Sequence, residues 1–386
     1  MKKRLGAWGL KLDLTLLRAL PKVDLHRHLE GSLRLETLWE FHCRNGQRLH
    51  ASFEALKAAC TIPRGVRPGF QGFMARFPGL RFRFGGVEAL ERLAAEAVSD
   101  AAADGVVHLE LRFSPVFCAL RVRGPAATKP QRRARARTGS PGGRPSDLKV
   151  TPEEAELAAA AVVRGARREA LRRGISVGFI VTLKRDLGIA ANEPQARLLE
   201  RPVGRELAGL DLAGDEAFPA ADFAPYFREW KAAGRGLTIH AGEDPGGAGA
   251  DNVRHAVFEL GADRIGHGVR AHQDKELLGL LARKGTALEL CPTSNVQTRA
   301  CRSFRAHPLK ALLAAGAAAT INTDDPAVSQ TTLSRECLLA ATRCGLSLGE
   351  LRACTLQAAC SAFLGPAAKA ALARRITAGW PGTCDG

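Results

Sequence analysis

The sequence predicts an α/β fold: a (β/α)8 TIM barrel with a helical cap inserted between strands 1 and 2. Three observations indicate it: eight short strand-like runs, helical stretches between most of them, and several runs that are apolar throughout. Alternating strands and helices form parallel sheets, and continuously apolar strands are buried on both faces. Eight such strands close into a barrel, whose active site lies at the C-terminal strand ends.

The predicted strands are Val23–Leu29, Val106–Phe113, Ser176–Leu183, Leu207–Leu212, Gly236–His240, Arg264–Gly268, Ala287–Leu290 and Ala318–Asn322. The predicted helices include Val87–Ser99, Thr151–Arg173, Asp222–Ala233, Ala250–Leu260, Asp274–Arg283 and His307–Ala315. The helix from Thr151 begins with a capping box, in which Thr151 is the N-cap, Pro152 follows it and Glu154 is the third helical residue.

Two segments interrupt the alternation. Residues 33–100 carry helical patterns and are predicted to cap one end of the barrel. Residues 121–149 are rich in Pro, Gly and Arg and have no leucine before Leu148. Such a composition buries too little apolar surface to offset the entropy of ordering, so this basic segment is predicted to be disordered. The remainder of residues 1–386 is predicted to form a single barrel domain.

The net charge of +17 is high for a chain with ordinary hydrophobic (46%) and charged (25%) content. The basic segment contributes nine Lys or Arg against one acid, Asp147, and so accounts for about half of the excess. No aromatic residues are interleaved with these basic residues, which argues against nucleic-acid binding and favours a solvated insertion.

The ten cysteines are dispersed and form no CxxC pair, which is typical neither of a zinc ribbon nor of a disulfide scaffold. Reduced thiols indicate a cytoplasmic protein. Lys11 and Asp13 interrupt the apolar residues near the N-terminus, so we predict no signal peptide. No uncharged apolar stretch reaches the ~18 residues of a membrane span, so we expect no membrane partner.

The stretch VDLHRHLEGS, residues 23–32, ends the first strand with His26 and His28 on the same face of the sheet. Alone, such a pair is more often two surface histidines than a metal site. Further strand ends, however, carry DLAGDE (211–216), HAGE (240–243), IGHG (265–268), CPTSN (291–295) and NTDDP (322–326). Because the C-terminal ends of parallel barrel strands share one face, we expect these side chains to converge.

Imidazole nitrogens and carboxylate oxygens are suitable ligands for zinc and related divalent metals. His26 and His28 supply two ligands, His240 and Asp324 can complete the shell, and water takes the remaining position. A bound metal lowers the pKa of water from about 15.7 toward ~7. Outside this set, Glu243 could donate a proton to a substrate.

His267 could position or deprotonate the water, although a histidine between two glycines could also be a packed turn residue. Gly214 could serve only a turn. Asp324 and Asp325 before Pro326 could begin a helix, where the dipole favours acids. The joint placement at five strand ends favours the metal site over these structural interpretations.

The same residues resemble the adenosine deaminase family of the metal-dependent amidohydrolase superfamily. The similarity covers residues 20–365 except the basic segment, and its motifs occur in the family order: PKVDLHRHLEGS, LELRFSP, DLAGDE, TIHAGED, RIGHGV, LCPTSNVQT, HPLKALL and TINTDDPAVS. The resemblance implies hydrolytic deamination of adenosine or deoxyadenosine to inosine or deoxyinosine and ammonia, a reaction of purine metabolism.

The resemblance also implies one Zn²⁺ ion held by His26, His28, His240 and Asp324. DLAGDE contains no lysine of the kind that bridges two metals, which favours a single ion.

By the same resemblance, Glu243 would share a proton with purine N1 and His267 would help to activate water. Asp325 would accept a hydrogen bond at or near N7, and the backbone of Gly214 would contact N3. Glu30 would face the sugar.

Two departures from the family pattern bear on the substrate. Glu30 stands where well-known animal members have Asp, and Leu35 replaces the usual Pro. A sibling deaminase acting on adenine, or on a larger adenosine derivative such as an aminofutalosine-type nucleoside, is therefore an alternative. DLAGDE favours a nucleoside over free adenine. A non-catalytic barrel that binds a polyanion through its basic segment is the alternative from a different class. The sequence makes no prediction of oligomeric state.

Overall fold

A computed structural model describes residues 12–46, 49–80, 85–122, 149–244 and 248–381. These residues contain an eight-stranded sheet in which neighbouring strands are parallel and follow the sequence order. The strands are β1 (Lys22–His28), β2 (Val106–Phe113), β3 (Ser176–Lys184), β4 (Gly209–Ala213), β5 (Gly236–Ala241), β6 (Arg264–His267), β7 (Ala287–Leu290) and β8 (Ala319–Ile321). The predicted (β/α)8 barrel is confirmed.

The barrel closes where β1 meets the residues that follow β8. Arg27 and Asp324 form a parallel bridge at this seam. The His28 N–H donates to the carbonyl oxygen of Asp324 at 2.9 Å, and the Asp324 N–H donates to the carbonyl oxygen of His26 at 2.8 Å. Asp324 has a left-handed backbone, with φ of 62°, which is uncommon for a residue other than glycine. The seam therefore fixes Asp324 between the two histidines of β1.

Helices surround the sheet. Up to β3, the described ranges contain α1 (Leu14–Ala19), α2 (Leu35–Arg44), α3 (Phe53–Cys60), α4 (Phe70–Met74), α5 (Val87–Ala103), α6 (Pro115–Val122) and α7 (Pro152–Arg173). After β3 they contain α8 (Gly188–Ala196), α9 (Ala224–Ala232), α10 (Gly249–Phe258), α11 (Lys275–Lys284), α12 (Pro292–Gln297), α13 (Leu309–Ala314), α14 (Pro326–Ser329), α15 (Leu333–Thr342), α16 (Leu348–Ser361) and α17 (Pro366–Gly379). None of these helices combines the length and hydropathy that a membrane span requires.

The predicted start of α7 is confirmed. The Glu154 N–H donates to Thr151 Oγ1 at 3.2 Å, and the Thr151 N–H donates to the Glu154 carboxylate at 2.8 Å. Pro152 occupies the first turn, and Gly174 ends the helix in the left-handed conformation that glycine favours. With both ends satisfied, this long helix packs against α5.

The connection between β1 and β2 contains helices in two different positions. Phe70 and Phe73 of α4, and Phe77 after it, line a cavity at the C-terminal end of the barrel. α5 instead packs against α7 and β2, as a helix of the outer ring does. The segment 33–100, predicted as a cap, therefore includes one helix of the barrel wall.

The fourth strand starts later than predicted. The predicted start was Leu207, whereas β4 begins at Gly209. Residues Pro202–Glu206 form a 3-10 turn, and the Leu207 N–H donates back to Gly204 O at 3.3 Å, so Leu207 ends that turn.

The structure also shifts the start of the predicted basic segment. α6 extends through Val122, and Arg121 is a buried residue that lines the cavity. Residues 123–148, which carry the remaining disorder prediction except Lys149, lie outside the described residues.

α15, α16 and α17 have no counterpart among the predicted helices. α16 packs against both β8 and β1, so it covers the outside of the barrel seam. The Ala-rich sequences of α16 and α17 lack the distinct apolar stripe by which an amphipathic helix is recognised.

Candidate active site

The C-terminal strand ends surround the cavity described above. Eight of the nine predicted site residues line it: His28, Glu30, Gly214, His240, Glu243, His267, Asp324 and Asp325. The ninth, His26, is fully buried, and its ring centroid lies 4.6 Å from that of His240. The structure thus brings all nine predicted residues into one region.

His26, His28, His240 and Asp324 form a compact group. The Nε2 atoms of His28 and His240 are 3.3 Å apart, and Asp324 Oδ1 lies 3.5 Å from Nε2 of both His26 and His28. Burial lowers the pKa of His28 and of His240, so both imidazoles are neutral at neutral pH. His26 Nε2 is buried and makes no hydrogen bond within the described residues. A buried nitrogen without a partner, among neutral imidazoles and a carboxylate, fits a divalent metal such as zinc.

Two acids behind the histidines fix the direction of their rings. His26 Nδ1 donates to Glu289 on β7 at 2.8 Å, and His240 Nδ1 donates to Asp211 on β4 at 2.9 Å. In the neutral ring, a proton on Nδ1 leaves the Nε2 lone pair facing the group formed by His26, His28, His240 and Asp324, as in many carboxylate–histidine–metal sites. Sequence reasoning assigned neither acid a role: Asp211 appeared only as the first residue of DLAGDE, and Glu289 was not singled out. The sequence signal that could have identified them is an acidic residue in the middle of a buried, otherwise apolar strand.

The carboxyl groups of the cavity differ in protonation. Burial opposes ionisation of Asp324, but the close approach of the His26 ring, 3.5 Å from Oδ1, and the nearby His267 hold its pKa well below the ordinary range. Burial and the Asp324 charge raise the pKa of Glu243 and of Asp325 well above theirs. Asp324 is therefore an ionised ligand candidate, whereas Glu243 and Asp325 keep their protons to a higher pH than ordinary carboxyl groups do.

His267 is held in a defined orientation by Asn295. The amide oxygen of Asn295 accepts from the Cys291 N–H at 3.1 Å, so its NH₂ group faces His267 Nδ1 at 3.0 Å and donates to it. Burial keeps the pKa of His267 well below its usual value, so the ring is neutral. Because Nδ1 accepts, the proton lies on Nε2, which is 3.3 Å from Glu243 Oε2. His267 also has a left-handed backbone, with φ of 60°.

Glu216, the last residue of DLAGDE, anchors the loop that carries Glu243. Its two carboxylate oxygens accept hydrogen bonds from the N–H groups of Gly242, Glu243 and Asp244 at 2.8, 2.7 and 3.0 Å. Asn252 donates a fourth bond at 2.8 Å. The position of Glu243 therefore depends on an acid of the neighbouring strand end, which sequence reasoning had placed in a motif without a role.

Two glycines permit close approaches at the cavity wall. A Cβ on Gly31 would lie 1.8 Å from Asp325 Oδ1, and one on Gly214 would lie 2.3 Å from Asp186 Oδ1. Gly214 also has φ of 105°, which favours glycine. Asp325 Oδ1 is buried and makes no hydrogen bond within the described part of the chain, so it remains available to a bound molecule.

The cavity lining also carries charge of both signs, from Glu30, Lys184 and Arg121. Glu30 is buried and accepts a hydrogen bond from the Ser114 N–H at 2.9 Å. Lys184 and Arg121 line the same cavity. Asn192 fixes the Lys184 backbone from both sides, at 2.8 and 2.7 Å. Among the described residues, the Lys184 ammonium group has no ion-pair partner.

Sequence comparisons match the chain to one family. The family model described as Adenosine deaminase matches residues 21–379. The adenosine deaminase of Klebsiella pneumoniae (strain 342) is 35% identical over 364 residues, which are 94% of this chain and 99% of that protein. The adenosine deaminase of Shigella flexneri is 33% identical over 366 residues, 93% of this chain and 98% of that protein.

Solved structures share the fold at lower identity. Adenine deaminase from Arthrobacter aurescens has a TM-score of 0.76 at 23% identity, covering 93% of this chain and 98% of that one. An amidohydrolase from Burkholderia ambifaria with bound Zn has a TM-score of 0.75 at 24% identity, covering 97% and 98%. An Arabidopsis protein complexed with GMP has a TM-score of 0.74 at 23% identity, covering 95% and 99%.

Proposed function

The chain belongs to the adenosine deaminase family of hydrolytic deaminases, and on this basis we propose that it converts adenosine and deoxyadenosine to inosine and deoxyinosine with release of ammonia. One observation carries the proposal. Glu243, whose pKa burial and the Asp324 charge raise well above the ordinary carboxyl value, lies 3.3 Å from His267 beside the histidine group. The carbon of an aromatic amidine is a poor electrophile until its ring nitrogen is protonated, and this arrangement offers the proton next to a site for activated water.

Members of this family depend on a metal ion. We assign one zinc ion to His26, His28, His240 and Asp324, a donor set that the orphaned Nε2 of His26 supports. When bound, the ion would lower the pKa of water and offset negative charge that develops on oxygen.

Glu243 donates its proton to purine N1, which makes C6 susceptible to addition of water. The C6–N bond then breaks and the amine leaves as ammonia. The proton from Glu243 remains on N1 of the product. Of the two protons of water, one returns to Glu243 and the other leaves with ammonia.

His267 positions the attacking water rather than deprotonating it. A histidine whose Nε2 already carries a proton donates a hydrogen bond there and has no free lone pair to accept a proton. The hydrogen bond from Asn295 to Nδ1 supports this choice between the two roles that the sequence left open.

Asp325 and Gly214 orient the base. Purine N7 is a hydrogen-bond acceptor, so a protonated Asp325 donates to it, in the opposite sense to the contact expected from the resemblance. The Gly214 N–H donates to N3. Glu30 lies toward the sugar, where its carboxylate interacts with hydroxyl groups.

A larger adenosine derivative, an adenosine that carries a phosphate on the sugar, is the second candidate. Lys184, without an ion-pair partner in the described ranges, and Arg121 both line the cavity that holds Glu30. The related Arabidopsis structures with bound GMP and IMP are consistent with nucleotide binding by this fold.

A substrate panel tests these proposals. Metal-loaded protein is incubated with adenosine, deoxyadenosine, adenine and adenosine 5′-phosphate, and ammonia release is measured. Adenosine and deoxyadenosine are expected to react fastest. Absence of turnover with every 6-aminopurine would refute the deaminase proposal and favour a non-catalytic polyanion-binding barrel.

We also propose a cytoplasmic location. The nine cysteines within the described residues are all unpaired, and most are buried, as expected for a protein that folds in a reducing compartment.

A further inference from the structure

Arg112 connects the two acids that lie behind the metal-binding histidines. It is on β2 and its side chain is fully buried. Its Nη2 donates a hydrogen bond to Glu289 Oε2 at 2.7 Å, and its Nη1 forms an ion pair with Asp211 Oδ2 at 3.3 Å without hydrogen-bond geometry. The same Glu289 oxygen accepts the hydrogen bond from His26, and the other Asp211 oxygen accepts that from His240. One guanidinium group therefore lies between two carboxylate–histidine pairs.

The geometry of arginine makes this connection rigid. A guanidinium group is planar and holds its nitrogen atoms in a fixed arrangement, so the hydrogen bond to Glu289 and the ion pair with Asp211 fix the two carboxylates relative to each other. Nη2 also donates to the carbonyl oxygen of Leu25, the residue before His26, at 2.8 Å. Arg112 is thus tied to β1, β4 and β7 at once.

We propose that Arg112 is a positioning residue of the metal site, which sets the ring directions of His26 and His240 together through Glu289 and Asp211. It contacts neither the substrate nor the reacting atoms. The proposal rests on the assignment of these histidines as ligands in the proposed function.

Arg264 offers a matched control within the same layer. It is equally buried and donates to the second oxygen of Glu289 at 2.6 Å. It also contacts Glu110, the carbonyl oxygen of Ser361 at 2.8 Å, and the ring of Phe363, 3.6 Å from the guanidinium carbon. Arg264 therefore contacts Glu289 but not Asp211. A change at Arg264 should disturb the buried charged residues behind the histidines, but it should leave the connection between His26 and His240 through Arg112 intact.

The test is zinc affinity, measured by competition with a chelator on folded, metal-free protein. Arg112→Lys keeps the charge, but a single ammonium group cannot bridge two carboxylates. We expect it to weaken zinc binding about 10- to 100-fold, the range for partners of metal ligands. Arg264→Lys is expected to weaken it no more than about threefold. Histidine ¹⁵N spectra of the metal-free protein should show a loss of the Nδ1-protonated form at two rings in R112K and at no more than one in R264K.

Zinc affinity and ring tautomers of R112K equal to those of the unsubstituted protein would overturn the proposal. If R112K does not fold, Asp211→Asn and Glu289→Gln decide the matter. If Arg112 couples the two acids, the double variant should lose less zinc affinity than the product of the fold-losses of the two single variants. Fold-losses that simply multiply would show that the two acids act independently and would refute the proposal. The proposed function and this inference can fail separately. If the protein deaminates no 6-aminopurine but R112K still loses zinc affinity, the proposed function fails and this inference is supported.

Discussion

The backbone N–H of Asp324 donates to the carbonyl oxygen of His26 at 2.8 Å, and the side chains of the same two residues approach to 3.5 Å between Oδ1 and Nε2. The contacts that close the barrel therefore also bring together two of the proposed metal ligands. The left-handed backbone of Asp324 costs of the order of 1–3 kcal/mol, and the seam hydrogen bonds hold the residue in that conformation. A small shift of β8 against β1 would therefore move Asp324 relative to His26 and His28 at the proposed metal site.

Glu243→Gln should abolish most turnover while leaving the metal in place. Glutamine keeps the shape of the side chain but has no carboxyl proton to give to N1, and loss of a general acid typically costs roughly 10²–10⁴-fold in rate. Metal content and kcat are measured together. His26→Ala is the contrasting variant, because it removes a proposed ligand and should lower metal content. Equal metal loss in both variants would contradict the separate roles.

Asn295→Asp should lower kcat without removing metal. Aspartate is nearly isosteric and can still accept from the Cys291 N–H, but it cannot donate to His267 Nδ1. The ring would then carry its proton on Nδ1 and present a lone pair at Nε2, which suits a base and not a donor. We expect a fall of roughly 10²-fold in kcat. An unchanged or higher kcat would identify His267 as a base.

Asp325→Asn should be tolerated better than Asp325→Ala. An asparagine amide can donate to N7 as the protonated acid does, whereas alanine leaves that nitrogen unpaired. A lost hydrogen bond of this kind corresponds to roughly 10- to 100-fold in kcat/KM. Steady-state kinetics with adenosine separate the two variants. If asparagine is as damaging as alanine, Asp325 acts as a charged acceptor and our protonation assignment is wrong.

Lys184→Met tests which substrate the charged part of the cavity serves. Methionine retains length and removes the charge. If Lys184 binds a phosphate, kcat/KM for adenosine 5′-phosphate should fall roughly 10- to 100-fold, as expected for a charge-assisted hydrogen bond, while kcat/KM for adenosine changes little. Equal effects on both substrates would assign Lys184 to the nucleoside itself.

Glu336 should make stability depend on pH. It is fully buried on α15, accepts a hydrogen bond from the Thr293 N–H at 2.8 Å, and burial raises its pKa from 4.5 to about 7. Between these values the folded protein holds a proton that the unfolded chain has lost. The stabilisation that Glu336 supplies through its proton is therefore fully present below about pH 4.5 and is lost as the pH rises through 7. This loss lowers the free energy of unfolding by about 3 kcal/mol.

Glu336→Gln is the control for that measurement, since glutamine accepts the same hydrogen bond and does not titrate. Urea unfolding of both proteins at about pH 5 and about pH 8 gives four free energies. The free energy of unfolding should fall more between these two pH values in the unsubstituted protein than in the variant. An equal fall in both proteins would mean that Glu336 titrates normally.

The fold and the inner face of the site follow closely from sequence. The strand-end motifs carry His26, His240 and Asp324, and parallel strands in chain order leave these ends little choice but to meet on one face. The closing pair of β1 and β8 is likewise implied by a barrel, although the left-handed backbone of Asp324 is not.

Other residues escape prediction because their partners lie across the barrel. Arg112 and Asp211 lie within the motifs LELRFSP and DLAGDE, and Glu289 lies in an apolar strand, but the sequence does not say which residues they contact. Only the three-dimensional structure places them behind particular histidines. Asn295 is similar, because its role depends on which of its atoms faces His267. Lys184 carries no motif, and only the cavity identifies it.

The closure of the barrel by Asp324 and β1 also orders events during synthesis. His26 and His28 leave the ribosome early, whereas Asp324 and the last strand emerge near the end of the chain. A nascent chain therefore cannot present all four proposed ligands until β8 and Asp324 have been synthesised. If these residues hold zinc as proposed, we expect a chain released before β8 to bind the metal weakly.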